Sequence, residues 1–311
     1  MPLNDASEIA GSEDTRVSAA IVIPAFNAAA TIVETLRAVQ ACPGVAKLGG
    51  VFVCDDASTD NTPNLAADAW ISVPKLTILQ NGQRLGERRT VNAAFERLRK
   101  HYEWIFILHA DDVVKENWLD LYFQRIKAAE PRVASICSSY DWWYPAAKRI
   151  EPGEDDFSRD LEIIRGTRES VLSTLKAGCW WHISGCAIRV ERFFEIGGFR
   201  PHMPQLGDFE WLLRCLRLGY DVEYIPRTTM LYRMHSASVS SNSFRRGQDL
   251  IERLEISGIY CDESYLTKRE LRAVRMRVVY TALKRIVKQL AAGELQDSGN
   301  LLSVCWRALW G

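Results

Sequence analysis

The chain has 311 residues, 47% of them apolar, and its 39 Lys and Arg residues are balanced by 39 Asp and Glu. That is enough apolar chain to bury the core of a catalytic domain plus an appendage, which excludes a largely disordered protein; zero net charge leaves no global basic field to hold nucleic acid. No two of the eight cysteines have C-x-x-C spacing, and several lie inside apolar runs, as expected of buried free thiols in a reducing cytoplasm.

Residues 1 to 16 read as a leader without the apolar core of a signal peptide, and no stretch reaches the ~18 apolar residues of a membrane span. The run VSAAIVIP (17 to 24) predicts a strand buried on both faces. A helix from Thr31 carries Ile32, Leu36 and Val39 on one face and ends before Pro43-Gly44. VFVC (51 to 54) predicts a second strand, NTPNLAADAW a helix with Pro63 near its first turn, and LTIL (76 to 79) a third strand. A helix through VNAAFERLRK leads to a strand at 104 to 108 (WIFIL), then HADD, a helix through WLDLYFQRI and a strand at 133 to 139 (VASICSS). The alternation predicts an α/β fold, an open parallel sheet wound with helices. From Tyr140 the periodicity is lost until about Glu169, which predicts a long functional loop or insertion. Beyond it come CWWHISGCAIRV, the Gly197-Gly198 turn, a helix through DFEWLLRCLRLG, a strand pair DVEYI and TMLYRMH, and helices to the end.

Ligands of an open α/β sheet gather at the carboxyl ends of its strands. Here those ends read Pro24-Ala25-Phe26-Asn27, Asp55-Asp56-Ala57-Ser58 and His109-Ala110-Asp111-Asp112. One Asp after a strand is usually a helix cap or turn former. Two Asp pairs at neighbouring strand ends repel each other, and a hard divalent cation, Mg²⁺ or Mn²⁺ bridging phosphates, relieves that. PAFNAAAT lacks the G-x-G-x-x-G turn of a dinucleotide site, and no G-x-x-x-x-G-K-[ST] is present, so dehydrogenase and P-loop chemistry are disfavoured.

Taken in order, IVIPAFNAAATIVETLRAV, VFVCDDASTDNT, the N-x-x-x-x-G stretch with GERRTVNAAF, LHADD, GGF and GDFEWLLR resemble the family 2 glycosyltransferases over roughly residues 17 to 240. The resemblance implies a GT-A type fold: a wound, mixed, mostly parallel sheet flanked by helices, here with a C-terminal helical extension. It implies an inverting transferase that takes its sugar from a nucleotide-sugar donor with Mn²⁺ or Mg²⁺. Residues 17 to 112 correspond to the nucleotide-sugar half, 113 to 240 to the acceptor half and 241 to 311 to the extension. By the same resemblance, Pro24, Ala25, Phe26 and Asn27 line the nucleotide site, Phe26 stacks on the base, and Asp56 accepts from the base N3–H. A carboxylate acceptor favours UDP or dTDP donors. Asp112 matches the direct metal ligand, with Asp111 nearer the ribose or donor sugar, and His235 matches a histidine that approaches the metal or diphosphate. Asp208 matches the catalytic base; its other reading is the N-cap of its helix. Arg88 and Arg89 suit phosphate or base contacts, or else a solvated helix face. Glu210 is a structural residue or an acceptor contact. The chain departs from the family pattern at His109, where many members carry Asp, at Gly207, where they carry Glu, and at Thr90-Val91-Asn92, where they read A-R-N.

Trp180, Trp181 and His182, with Trp142, Trp143 and Tyr144, suit an acceptor platform, since sugar rings stack on aromatic faces; the alternative is core packing under the loop. Residues 268 to 288 carry eight basic residues against one Glu, interleaved with apolar residues at near-helical spacing. Such a basic amphipathic helix packs on the catalytic domain, forms a homodimer, or lies on the inner face of a membrane near a lipid-linked acceptor. The expectation is a cytoplasmic glycosyltransferase without nucleic-acid partners, acting in polysaccharide, lipid-linked oligosaccharide or secondary-metabolite glycosylation. Its rivals are a catalytically silent nucleotide-sugar binder and a sugar-phosphate nucleotidyltransferase, which should begin with a glycine-rich basic loop.

Overall fold

The computed structural model describes residues 18–156, 158, 161–234, 244–291 and 298–310. The leader expected at 1 to 16 lies outside these residues, as does His235.

Strand β1 (Ala19–Ala25) is the axis of the sheet, buried at all seven positions. It pairs in parallel with β2 (Gly50–Asp55) on one side and β4 (Trp104–Ile107) on the other, and β3 (Leu76–Gln80) extends the β2 edge. Successive side chains leave a strand on opposite faces, so a strand covered by helices on both sides must be apolar throughout. Ala20 and Val22 accordingly join Phe52, Cys54, Ile105 and Ile107 in one core. Ile21 and Ile23 join Val51, Val53, Trp104 and Phe106 in the other. The first core is covered by α3 (Glu87–Leu98), α6 (Val190–Ile196) and α7 (Gly207–Arg217), the second by α1 (Ile32–Ala41), α2 (Thr62–Ala69) and α4 (Trp118–Ala128). The wound mixed sheet expected from the sequence is therefore present: beyond β3, β2, β1 and β4 it continues in the order β9 (Cys186–Arg189), β6 (Val133–Tyr144), β10 (Asp221–Arg233) and β5 (Val113–Val114) among the described residues.

Two expectations about the second half are corrected. The stretch after Tyr140 does not open into a loop: β6 continues from Val133 to Tyr144, β7 (Arg149–Glu151) folds back on it, and β8 (Glu162–Ile164) pairs with β10. Its outer half is only partly buried, so its aromatic and polar residues never formed an apolar run. DVEYI and TMLYRMH are not two strands but one, β10 (Asp221–Arg233), parallel to β6. Pro226 suggests a break, but the ladder passes it through a register shift between Ile225 and Thr228, a bulge that tolerates the missing N–H. Helix α5 (Arg168–Ala177) and the antiparallel β9 (Cys186–Arg189) complete this half.

Helices α8 (Gln248–Asp262), α9 (Lys268–Ala291) and α10 (Ser298–Trp310) form the expected helical extension. Leu250, Val278, Ala282, Ile286, Leu301 and Val304 make a small core of their own, and Arg285 grips Asp249 through two hydrogen bonds of 2.7 and 2.8 Å. Helix α8 also faces the sheet-bearing body: Ile256 and Tyr260 enter the first core, and buried Glu252 accepts backbone N–H groups of Leu206 (2.6 Å) and Gln205 (3.0 Å) just before α7. No helix among the described residues is long and apolar enough to cross a membrane.

Candidate active site

The carboxyl ends of β1, β2 and β4 lie side by side, so their following turns form one rim. On that rim Pro24 and Ala25 are buried, Phe26 is half-buried, and exposed Asn27 adopts a left-handed conformation (φ 50°) that asparagine tolerates better than most residues. The Asn27 N–H donates to Ser58 Oγ (2.9 Å), and Asn27 Oδ1 accepts from the Thr59 N–H (2.8 Å), tying the first two turns together. Asp56 is almost wholly buried. Its Oδ1 accepts from Asn81 Nδ2 (2.9 Å), the Leu85 N–H (2.8 Å) and Thr90 Oγ1 (3.0 Å), and its Oδ2 from the Gly86 N–H (2.8 Å). Burial works against its charge, but these donors together hold the carboxyl below its ordinary range. Asp56 therefore anchors the 81–90 segment, and Oδ2 keeps capacity for one further donor. The Arg84 guanidinium lies 3.9 Å over the Phe26 ring. Sequence reasoning passed over Arg84, although it sits inside the N-x-x-x-x-G stretch.

The HADD segment is pinned from beneath by α1. The buried Thr35 hydroxyl reaches the carbonyls of both Ala110 (3.1 Å) and Asp112 (2.8 Å). Asp112 is 1% exposed; its Oδ1 accepts the Arg233 N–H (3.0 Å), while its Oδ2 is buried with no hydrogen-bond partner among the described residues. His109 stands between two acids, Nδ1 lying 3.9 Å from Asp112 Oδ2 and Nε2 3.4 Å from Glu87 Oε1. One donor atom each from His109, Asp111 and Asp112 lie within 4.8 Å of one another. Burial and the charge of Asp111 push the Asp112 carboxyl up. Burial opposes a charge on His109, yet Glu87, Asp112 and Asp111 outweigh it and raise the imidazole to about 9. Glu87 is held low by His109 and Arg88 despite desolvation. Carboxylates that raise a buried imidazole this far make a point that favours a cation, and the orphaned Asp112 Oδ2 fits a hard divalent ion.

Asp208 lies in the first turn of α7 but is not its cap, which is Leu206; Asp208 Oδ1 accepts only the N–H of the next residue, Phe209 (2.8 Å). Arg88 is buried beside it, with Nη2 3.8 Å from Asp208 Oδ1 and Nη1 2.9 Å from Glu87 Oε1, and its Nε has no partner among the described residues. The departure at Gly207 now has a physical reason: a Cβ there would come within 3.1 Å of Arg88 Nε, so the missing side chain makes room for this guanidinium. Arg89, one residue on, is exposed.

Between the two acidic groups stands an aromatic wall from β6, β10 and the segment before β9. His182 is centred 4.8 Å from Tyr140 and 4.7 Å from Tyr232, and Trp142 lies 5.4 Å from Tyr232. Burial raises the Tyr140 and Tyr232 hydroxyls, and the charges of both Asp112 and Asp208 raise them further. Burial and the neighbouring His109 push His182 down, so it stays neutral. Tyr140 and Tyr232 carried no motif in the sequence; their place emerges only when β6 and β10 pair. Of the residues suggested for an acceptor platform, His182 and Trp142 are on this wall. Trp181 is not: it is 1% exposed, stacks near Trp211 in the first core and donates to Ser135 Oγ (2.9 Å). Trp180 turns toward Tyr224 and Thr174. Glu210 is buried in a salt bridge with Arg214 (2.9 Å) and Arg200 (3.1 Å), which makes it structural.

Known proteins share this fold. Glycosyltransferase GlyG of Streptococcus pneumoniae is 21% identical over 299 residues, covering 92% of this chain and 93% of its own. Among solved structures, mannosyltransferase PcManGT from Pyrobaculum calidifontis, in complex with GDP-Man and Mn²⁺, superposes with a TM-score of 0.61 at 18% identity, over 95% of this chain and 88% of that one. Residues 1–349 of S. aureus TarS, in complex with UDP-GlcNAc, give 0.64 at 14% identity, over 94% and 80%. The family model described as glycosyl transferase family 2 matches residues 20–179, the span that carries both acid-bearing turns and the aromatic strand β6, and this chain belongs to that family.

Proposed function

We propose that this glycosyltransferase is inverting and metal-dependent, and transfers a sugar from a UDP- or dTDP-sugar to an acceptor hydroxyl. The observation that carries the reading is convergence: Glu87 Oε1 lies 2.9 Å from Arg88 Nη1 and 3.4 Å from His109 Nε2, and these two side chains reach Asp208 and Asp112 in turn, so the metal-site acid and the base address one cleft. Asp208 removes the proton from the acceptor hydroxyl as that oxygen bonds to the anomeric carbon; the nucleoside diphosphate leaves from the opposite face, which inverts the centre. Asp112 and Asp111, with His109 beside them, are the residues that would hold Mn²⁺ or Mg²⁺. A divalent ion bound there supplies charge to offset the departing diphosphate. Arg88 supports the same group from the protein side, its buried Nε lacking any internal acceptor. Phe26 and Arg84 flank the base position, and the spare capacity of Asp56 Oδ2 suits a uracil or thymine N3–H. The complexes of PcManGT with GDP-Man and Mn²⁺ and of TarS with UDP-GlcNAc support a nucleotide-sugar donor and a metal of this class. The half-buried wall of Tyr140, Trp142, His182 and Tyr232 is where an acceptor sugar of a polysaccharide, lipid-linked oligosaccharide or secondary metabolite would lie.

The C-terminal hairpin extends the proposal to a location. One face of α9 packs inward, but Met276, Tyr280, Leu283, Val287 and Leu290 form a second stripe that is exposed, alongside Leu302, Trp306, Leu309 and Trp310 of α10. Exposed Arg272, Arg277, Lys284, Lys288 and Arg307 surround it. A second copy of the chain would bring these like charges together, whereas an anionic lipid surface complements them, so the hairpin is assigned to peripheral contact with a membrane.

The test of the catalytic reading is release of nucleoside diphosphate from a panel of nucleotide sugars with and without Mn²⁺. Metal-dependent release from a UDP- or dTDP-sugar, with an inverted product linkage, is the expected result. Nucleotide binding without turnover on any donor or acceptor would instead favour a silent binder.

A further inference from the structure

The acid that many family members carry at the start of the metal-binding segment is His109 here, and Glu87, 22 residues earlier in the chain, meets the far side of its ring. Three observations bear on what the pair does. His109 Nε2 faces Glu87 Oε1 at 3.4 Å, and Nδ1 faces Asp112 Oδ2 at 3.9 Å, so the ring is bracketed by a carboxylate on each side. Asp112 Oδ2 is buried on a side chain that is 1% exposed, and among the described residues neither it nor the buried His109 Nε2 completes a hydrogen bond. Two donor atoms on one ion with bonds of about 2.1 Å stand roughly 3 to 4.3 Å apart, a range that includes the Nδ1 to Oδ2 separation.

From this geometry we infer that His109 is a metal ligand through Nδ1, and that Glu87 is its positioning residue, accepting from Nε2–H to fix the tautomer and the ring plane. A carboxylate, an imidazole and a metal in series is the arrangement by which proteins orient histidine ligands and raise their basicity. It accounts for both orphaned atoms at once, and it replaces the acid lost at position 109 by a nitrogen donor that gives up its proton as the metal binds and is backed by a charge. A nitrogen ligand strengthens binding of later divalent metals relative to an all-oxygen set, so this site should prefer Mn²⁺ or Co²⁺ over Mg²⁺ more strongly than a site with Asp at 109. The inference rests on the metal-dependent reading above.

The experiment is pulsed electron paramagnetic resonance of Mn²⁺ added at half the protein concentration, with and without UDP, to the full chain grown with ordinary or ¹⁵N-labelled histidine. The expected result is modulation from a directly bound imidazole nitrogen that changes with the label and disappears in His109→Asp, while Mn²⁺ stays bound. Glu87→Gln should weaken Mn²⁺ binding about 10- to 100-fold with the thermal melt unchanged. Bound Mn²⁺ with no histidine modulation, or the same modulation in His109→Asp, would overturn the inference and leave the metal-dependent reading standing. No Mn²⁺ binding by the wild type in either condition would overturn both.

Discussion

At the carboxyl edge of the sheet, polar groups are buried without partners; on the C-terminal hairpin, large apolar groups are exposed without cover. Asp112 Oδ2, Arg88 Nε and His109 Nε2 lie within the body of the protein with no completed hydrogen bond to any described residue. Tyr280, Val287, Trp306 and Trp310 are 65 to 75% exposed on helices whose opposite faces are well packed. Each region carries a cost that folding alone does not explain. An unpaired buried polar group costs about 1 to 3 kcal/mol, and exposed apolar side chains forgo about 1.5 to 3 kcal/mol each that burial would return. The lesson is that each deficit specifies the chemistry that would relieve it: a cation and phosphates in the cleft, an apolar and anionic surface at the hairpin.

Substitutions that remove one side of this contrast should leave the other intact. The largest effect is expected from Asp208→Asn, which should lower kcat/KM by about 10² to 10⁴ while binding of UDP and Mn²⁺ is retained, as measured by steady-state release of diphosphate and by calorimetry. Asp112→Ala should match it in activity but lose the metal stimulation as well. Next comes Glu252→Ala, which strands the amides of Gln205 and Leu206. The cost is about 1 to 3 kcal/mol for each, visible as a lowered denaturation midpoint, and Glu252→Gln should recover part of it because an acceptor oxygen remains. At the hairpin, Trp306→Ser combined with Trp310→Ser should reduce sedimentation with phosphatidylglycerol vesicles at least about 10-fold and leave donor hydrolysis in solution unchanged. Unchanged vesicle binding, or a dimer in light scattering that the double variant abolishes, would transfer the hairpin from lipid to a second copy of the chain. The smallest effect should come from Arg89→Ala: an exposed helix position shifts stability by under about 0.5 kcal/mol, and donor KM should stay where it is. A large rise in KM would return Arg89 to the nucleotide site.

How much of this was legible beforehand follows the same division. The parallel half was readable because a strand buried on both faces must be an unbroken apolar run, and β1, β2 and β4 are such runs. As candidates, Asp112 was readable because its motif follows the apolar run of β4, and Asp208 because it opens the amphipathic pattern of α7. The partners that explain the departures were not. Glu87 and His109 meet across 22 residues, Arg88 and Gly207 across 119, and a contact at such separation leaves no local pattern in one sequence. Trp180 and Trp181 show the limit sharply: adjacent indoles in one string, one half-buried beside Tyr224 and the other sealed in the core, separated by a backbone direction that composition does not carry. The outer half of β6 escaped notice because half-buried aromatic and polar residues have neither the period of a helix nor the uniformity of a core strand.

Glu252 gives the C-terminal helices a role that their position at the end of the chain hides. A protein shortened to residue 240 would lose the acceptor for two amides that introduce the helix bearing Asp208, together with Ile256 and Tyr260 from the first core. Such a fragment would keep every motif of the family and still present Asp208 on an unsupported turn. The smallest autonomous enzyme cut from this chain therefore has to include α8, and trimming to the motif-bearing span should yield protein that binds nucleotide better than it turns over.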